Sequence, residues 1–224
     1  MVIDTDAGPE QPGEGELSPE ESLSLVKAQR DVATRRVRVD PVPILAAWGV
    51  AWLVGFGAIY LASPQGPGPL LPTWAAGVIA GVLFAVALVV SIGQSVWRGR
   101  GIEGPSRQVG AMYGWSWLMG LAGLYGVNLG LMHAGMASRL LPLAWSGSAL
   151  LVVGVLYLAG GMLWKDRVQY SLGAWTLVTG AASVSAGVPA NFAVLSLAGG
   201  GGFLVGAAVS YLRRTRSLTT PTWP

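Results

Sequence analysis

The chain of 224 residues contains no cysteine and only one histidine, His133. The absence of cysteine excludes disulfide bonds, thiolate metal ligands and cysteine nucleophiles, and it leaves the redox compartment undetermined. His133 has neither a second histidine nor a neighbouring acidic residue with which to share a metal ion. We therefore interpret it as an interfacial residue rather than a metal ligand or a pH sensor, and we expect no cofactor.

Charged residues are scarce, at 11% of the chain against about 25% in a typical soluble domain, while 52% of the residues are hydrophobic. The sequence also lacks the motifs GxSxG, HExxH and GxxxxGK[ST], and its apolar stretches contain no paired carboxylates. We therefore expect a membrane protein that is not an enzyme.

From Ile44 onward, the apolar residues form six stretches whose interiors contain no Asp, Glu, Lys or Arg. Each stretch reaches or approaches the ~20 residues that a helix needs to cross the hydrocarbon core. The sequence thus predicts an all-α, polytopic membrane protein with six transmembrane helices in residues 41–212. The fifth span is the most polar, and we expect other helices to surround it. The predicted spans are 44–62, 72–97, 111–132, 140–164, 169–187 and 190–212.

The segment before the first span has two parts. Residues 1–17 are acidic and rich in glycine and proline, which predicts a disordered tail rather than a cleavable signal peptide. Residues 18–40 predict a cytoplasmic amphipathic helix that starts with a capping box, Ser18, Pro19 and Glu21. Its basic residues favour contact with lipid headgroups, and a solvated or partner-binding helix is the alternative. These basic residues are Lys27, Arg30, Arg35, Arg36 and Arg38.

The positive charges indicate the orientation of the chain. Of the 14 lysine and arginine residues, 13 fall in the N-terminal segment, the second and fourth connections, and the tail 213–224. Only Arg139 falls on the other side. Because cytoplasmic loops carry the excess of positive charge, the distribution predicts that both termini are cytoplasmic.

The first and third spans align without gaps, with WGVAWLVGFGAIY at 48–60 over YGWSWLMGLAGLY at 113–125. Five positions are identical, among them Trp52 with Trp117 and Gly55 with Gly120. This match predicts a helical hairpin that is repeated in the same orientation. The alternative is convergence, because aromatic belts and basic loops impose similar ends on any membrane hairpin.

Small residues recur every four positions on the first, second and sixth spans, and such stripes allow helices to approach closely. We expect them to pack within the bundle or between protomers. The three stripes are Ala47, Ala51 and Gly55; Gly77, Gly81 and Ala85; and Ala198, Gly202, Gly206 and Ser210.

Two features suggest a route for a solute. Asn128 lies near the middle of its apolar stretch, and the sixth span contains a glycine run where a helix could unwind around a ligand. The alternatives are a hydrogen bond between helices for Asn128 and close packing for the glycines. The candidate pathway is Asn128, Gly199, Gly200, Gly201 and Gly202.

Several segments together resemble uncharacterised six-span integral membrane proteins of actinobacteria, the high-GC Gram-positive bacteria. These segments are SPEESLSLVKAQ, WGVAWLVGFG, RGRGIEGPSRQVGAMYGWSW, VVGVLYLAGGMLW and LAGGGGFLVGA. The resemblance covers about residues 18–212, and it implies the architecture and a bacterial plasma membrane, but no activity.

The sequence favours a non-enzymatic accessory or scaffold subunit that acts through helix packing. The expected partners are the lipid bilayer and either another membrane protein or a second copy of the chain, and nucleic acid is not expected. The alternative function is a small-solute transporter or channel without ionisable groups in the membrane.

The absence of native cysteine makes the orientation directly testable with single-cysteine variants. A Ser138→Cys variant is expected to react with a membrane-impermeant maleimide in intact cells, because Ser138 lies on the predicted outer side. A Thr220→Cys variant should react only after the membrane is opened. The reverse labelling pattern would contradict the predicted orientation.

Overall fold

The computed structural model describes residues 18–26, 28, 40–67, 69–99 and 105–219, and it divides the chain into Met1–Arg38 and Val39–Pro224. In the first unit, residues 19–26 are helical. The predicted capping box is present: the Ser18 N–H donates to Glu21 Oε2 (3.0 Å), and the Glu21 N–H donates to Ser18 Oγ (3.2 Å). The predicted tail 1–17 and all five basic residues proposed for headgroup contact lie outside the described residues.

In the second unit, six long helices cover the six predicted stretches, and the described residues contain no strand. The last helix, α6, contains a π-helical turn, Leu195–Gly200, between Ala190–Val194 and Gly201–Thr219. A short 3-10 turn, Ser138–Leu140, precedes the fourth long helix. The other helices are α1 Pro41–Ala62, α2 Thr73–Gly99, α3 Pro105–His133, α4 Leu141–Leu163 and α5 Arg167–Ala186.

The all-α prediction is confirmed for the described residues, where four segments are long and apolar enough to cross a membrane. Helices α3 and α5 are not among these four. Glycines and polar residues interrupt α3, and threonines and serines make α5 more polar. The four segments are Pro41–Ala62, Thr73–Trp97, Ser138–Leu163 and Ala190–Thr215.

Packing places the helices in the order α2, α1, α6, α5, α4, α3. The contacts of α1 with α6 and of α4 with α5 are the most extensive and about equal, followed by the contact of α1 with α2. Helices α2 and α3 each have one extensively packed neighbour within the described part of the chain. The main core forms where α1, α4, α5 and α6 meet, and its buried residues are Leu45, Trp52, Leu150, Leu172, Leu195, Phe203 and Ala207.

Two aspartates determine where helices begin. Asp40 caps α1 by accepting the Val42 N–H (3.1 Å), and its other oxygen pairs with Arg214 Nη1 on α6 at 2.6 Å. Asp166 caps α5 by accepting the N–H groups of Val168 and Gln169. A carboxylate that accepts such bonds satisfies amide donors that the first helical turn leaves free. The ion pair also places the start of α1 and the late part of α6 at the same end of the bundle.

Glycine allows the closest helix contacts. A Cβ placed on Gly200 of α6 would lie 2.6 Å from the Leu53 nitrogen of α1, and one on Gly161 of α4 would lie 2.6 Å from the Tyr170 nitrogen of α5. These distances are below any that real Cβ atoms tolerate, so the backbones pack directly on one another.

The three small-residue stripes differ in their surroundings. On α1, Ala51 and Gly55 are buried, and a Cβ on Gly55 would lie 3.3 Å from Ala80 Cα of α2. On α6, Gly206 is buried against Leu172, and Gly202 faces the ring of Trp175. The remaining members of these two stripes are half-buried: Ala47, Ala198 and Ser210.

The α2 stripe lies on the surface. Gly77, Gly81 and Ala85 are exposed, whereas Ala76 and Ala80 are buried against α1. Neighbouring residues on a helix point about 100° apart, so the contact uses the adjacent face of α2. The prediction that this stripe packs within the bundle is therefore wrong, and its packing between protomers stays a prediction.

Gly200 and Gly201 form a matched pair for testing the glycine contacts. A Cβ at Gly200 would meet the Leu53 backbone, whereas a Cβ at Gly201 would meet nothing within 4 Å. Gly200→Ala is expected to destabilise the protein by about 1–3 kcal/mol through overpacking. Gly201→Ala should leave stability unchanged or raise it slightly, because alanine is the better helix former. Thermal unfolding in detergent, followed by tryptophan fluorescence, measures both variants, and equal melting temperatures would contradict this account.

Candidate functional site

The described helices bury six polar side chains, all of them uncharged. They lie on α3, α5 and α6, and a buried polar group is costly unless it has a hydrogen-bond partner. Their hydrogen bonds therefore indicate which of them serve the fold. The six are Asn128, Thr176, Thr179, Ser183, Asn191 and Ser196.

Asn128 joins α3 to α4. Its Nδ2 donates to Leu124 O on its own helix (2.9 Å) and to Ser148 Oγ on α4 (2.8 Å). Ser148 Oγ in turn donates to Ala144 O (2.6 Å). The amide nitrogen that a solute pathway would require is thus engaged in a hydrogen bond between helices.

The polar residues of α5 bond mainly to their own helix. Thr176 Oγ1 donates to Leu172 O (2.7 Å), and Ser183 Oγ donates to Gly180 O (2.9 Å). This polar face packs between α4 and α6, but the opposite face of α5 is exposed, with Val178 62% accessible. The expectation that other helices surround α5 is therefore wrong, because α5 has extensive neighbours on one side only.

The glycine run does not unwind. It lies at the end of the π-helical turn and the start of the following α-helix, where aromatic rings cover two of its members. Gly199 faces the ring of Trp52, Gly202 faces Trp175, and Gly200 meets the Leu53 backbone. Only Gly201 faces open space. The candidate pathway residues are therefore divided between two helix interfaces, Asn128 at α3–α4 and the glycines at the contacts of α6.

Two further hydrogen bonds hold the π-helical turn in place. Trp175 Nε1 of α5 donates to Ala198 O (2.8 Å), and Ser196 Oγ donates to Leu53 O of α1 (2.6 Å). A π turn disturbs the regular series of backbone hydrogen bonds in a helix. The bond from Trp175 to the Ala198 carbonyl therefore compensates in part for the backbone hydrogen bonds that the turn disturbs.

Asn191, in the first turn of α6, differs from the other buried polar residues. It is fully buried, and neither Nδ2 nor Oδ1 has a hydrogen-bond partner among the described residues. Sequence reasoning did not single it out. Its only distinguishing feature in the sequence is that an asparagine stands at the start of an apolar stretch, two residues after Pro189.

A ladder of aromatic rings crosses the bundle, and sequence reasoning also missed it. It runs from Phe84 on α2 through Phe56 and Trp52 on α1 to Phe203 on α6, with successive centroids 5.4 Å apart. It then continues through Tyr157 on α4 to Trp117 on α3, with spacings of 5.8 and 5.9 Å. Such ring pairs each contribute about 0.5–1.5 kcal/mol beyond area burial. The ladder links the two outermost helices through the core.

In the described part of the chain, the titratable groups form no recognisable reaction centre. His133 is exposed, and its Nδ1 lies 2.8 Å from Leu129 O of its own helix. No three His, Asp or Glu side chains of the described residues are grouped to hold a metal ion. A cleft of about 350 Å³ opens at the α4–α5 turn, lined by Gly161, Lys165, Asp166, Arg167, Tyr170 and Ser171. Its only carboxylate is the Asp166 cap of α5.

Comparison with known proteins finds no match: no family model, no curated protein and no solved structure is similar to this chain.

The Asn128–Ser148 bond can be measured with a double-mutant cycle. Asn128→Leu and Ser148→Ala are each expected to destabilise the protein, and the double variant should destabilise it by less than their sum. The expected coupling is about 0.6 kcal/mol, the average for hydrogen bonds between membrane helices. Thermal unfolding of the four proteins in one detergent gives the value, and strictly additive effects would show that the bond contributes nothing.

Proposed function

We propose that this chain is a six-span membrane protein that acts through helix packing, as a non-enzymatic accessory or scaffold subunit. The proposal rests on one observation: the polar side chains and the glycines of the helices serve contacts within the protein. Asn128, Thr176, Ser183 and Ser196 bond to protein groups, and neighbouring helices cover most of the glycine run.

Length and position support α3 and α5 as the two additional spans. They contain 29 and 20 residues, and 20 residues at 1.5 Å each reach about 30 Å, the thickness of the hydrocarbon core. Apolar side chains such as Met119 and Val127 project from the exposed face of α3, as lipid contact requires.

The Asp40–Arg214 ion pair supports a common side for both termini, because it joins the start of the first span to the end of the last. The positive-inside rule makes that side the cytoplasm. The resemblance to actinobacterial membrane proteins suggests the bacterial plasma membrane as the location.

Two hydrogen bonds support duplication of the first two hairpins. Trp48 Nε1 donates to Ser91 Oγ, and Tyr113 OH donates to Leu156 O, and each bond joins residues 43 positions apart. The alignment that places Trp48 over Tyr113, continued without a gap beyond residue 60, also places Ser91 over Leu156. Corresponding residues of α1 and α3 thus reach corresponding positions of α2 and α4.

The partner surface that we propose is the exposed face of α2. Gly77, Gly81 and Ala85 form a shallow stripe there, bordered by Val78 and Val82, which are 57% and 56% accessible. Small residues flanked by branched ones allow a second membrane helix to approach closely. In the scaffold role, another membrane protein would meet the chain at this face.

Solute transport is the alternative function. Its support comes from Asn191, whose buried amide has no partner among the described residues.

Purification of the tagged, full-length protein from its native membrane in mild detergent tests the scaffold proposal. A second membrane protein should co-purify, and Gly81→Leu should reduce its recovery several-fold by filling the stripe. Gly93→Leu is the matched control, because Gly93 is also exposed and lies about 120° around α2 from Gly81. Recovery of a lone homo-oligomer, with no other protein enriched, would contradict the proposal.

A further inference from the structure

The start of α6 carries a buried amide in a well-defined setting. The Asn191 backbone N–H donates to Gly187 O (2.7 Å), and its backbone oxygen accepts from the Leu195 N–H. The first turn of α6 packs against α5 and α1, so Asn191 lies where three helices meet. Its main chain is satisfied, and its side chain is not.

A primary amide carries two N–H donors and an acceptor oxygen. Burying all of them without partners opposes folding, so such groups are rare in native proteins. The other asparagine in the spans illustrates the usual outcome, since Asn128 is also buried yet donates two hydrogen bonds. The lack of hydrogen bonds at the Asn191 side chain therefore indicates a partner from outside the chain.

The surroundings define the chemistry of that partner. The interiors of the predicted spans contain no Asp, Glu, Lys or Arg, so no side chain there offers a charge to pair with a charged ligand. An amide offers both hydrogen-bond donors and an acceptor, so it suits a ligand that also has donor and acceptor groups. Water, an alcohol and a small carboxamide share this chemistry.

Access is short. Asn191 lies within four residues of the α5–α6 connection, where Val188 is 40% accessible and Ala190 is exposed. The π-helical turn begins four residues further along, at Leu195, and such turns are frequent at functional sites.

We infer that the Asn191 side chain binds a small, uncharged molecule with hydrogen-bond donors and acceptors at the junction of α1, α5 and α6. The ligand is an internal water molecule or a small polar solute that takes its place. This site is independent of the scaffold role.

Hydroxyl-radical footprinting by X-ray radiolysis of water tests the site in the intact protein. Radicals form where water resides, so a buried residue becomes labelled only beside internal water. Leu195, fully buried and one turn from Asn191, should be labelled several-fold more than Leu150, a core leucine that is 2% accessible. Labelling of Leu195 no higher than that of Leu150 would overturn the inference, and this comparison needs no variant.

An Asn191→Leu variant should reduce Leu195 labelling to the level of Leu150, while Leu150 itself stays unchanged. Asn128→Leu serves as the matched control, because it removes a buried amide elsewhere and should leave Leu195 labelling as in the wild type. Unchanged labelling of Leu195 in Asn191→Leu would also overturn the assignment to this amide.

Added glycerol and acetamide distinguish the two sources of ligand. If either probe lowers Leu195 labelling in the wild type and leaves Leu150 unchanged, the site accepts solutes from solution. If neither changes it, the site holds an enclosed water molecule. Both results support the binding site and differ only in its occupant.

Discussion

Direct backbone contact at glycine is the interaction on which the rest of this bundle depends. At the α1–α6 and α4–α5 interfaces, Gly200 and Gly161 bring one backbone against another at distances that no side chain would permit. In a bilayer, helices gain little from hydrophobic association, because lipid is as apolar as leucine, so close van der Waals contact must hold them together. These two interfaces place α1, α4, α5 and α6 around a common core, and α2 and α3 pack on its two ends.

The polar groups fit within that framework. Asp40 and Asp166 satisfy amides at helix starts, and Asp40 also ties α1 to Arg214. Ser196 and Trp175 hold the π-helical turn from two sides. With these bonds made, most polar atoms in the core are used by the fold itself. Among the described residues, Trp52 Nε1 and Gln94 Oε1 are also buried without a partner, but Asn191 is the residue that leaves both a donor and an acceptor atom unsatisfied. A residue that remains unsatisfied when its neighbours are satisfied is a natural candidate for contact with a ligand.

Local patterns predicted much of the architecture. The capping box at Ser18 was predicted from residue types and spacing, and the six helices from apolar length, because hydrogen bonds within a helix depend on nearby residues. The orientation of the α2 stripe could not be predicted in this way. Gly77 and Ala76 belong to faces about 100° apart, and only the contact with α1 decides which of them is buried.

The sequence by itself determined the all-α class, the helix positions and the scarcity of charge, since each follows from composition or from neighbours along the chain. The tertiary structure alone decided the helix order, the aromatic ladder from Phe84 to Trp117, the bonding of Asn128 and the burial of Asn191. These depend on which helix faces meet, between residues 20 positions apart for Asn128 and Ser148 and 143 positions apart for Ser196 and Leu53. The hydrophobic periodicity of a segment describes the faces of one helix, whereas the pairing of faces depends on two helices.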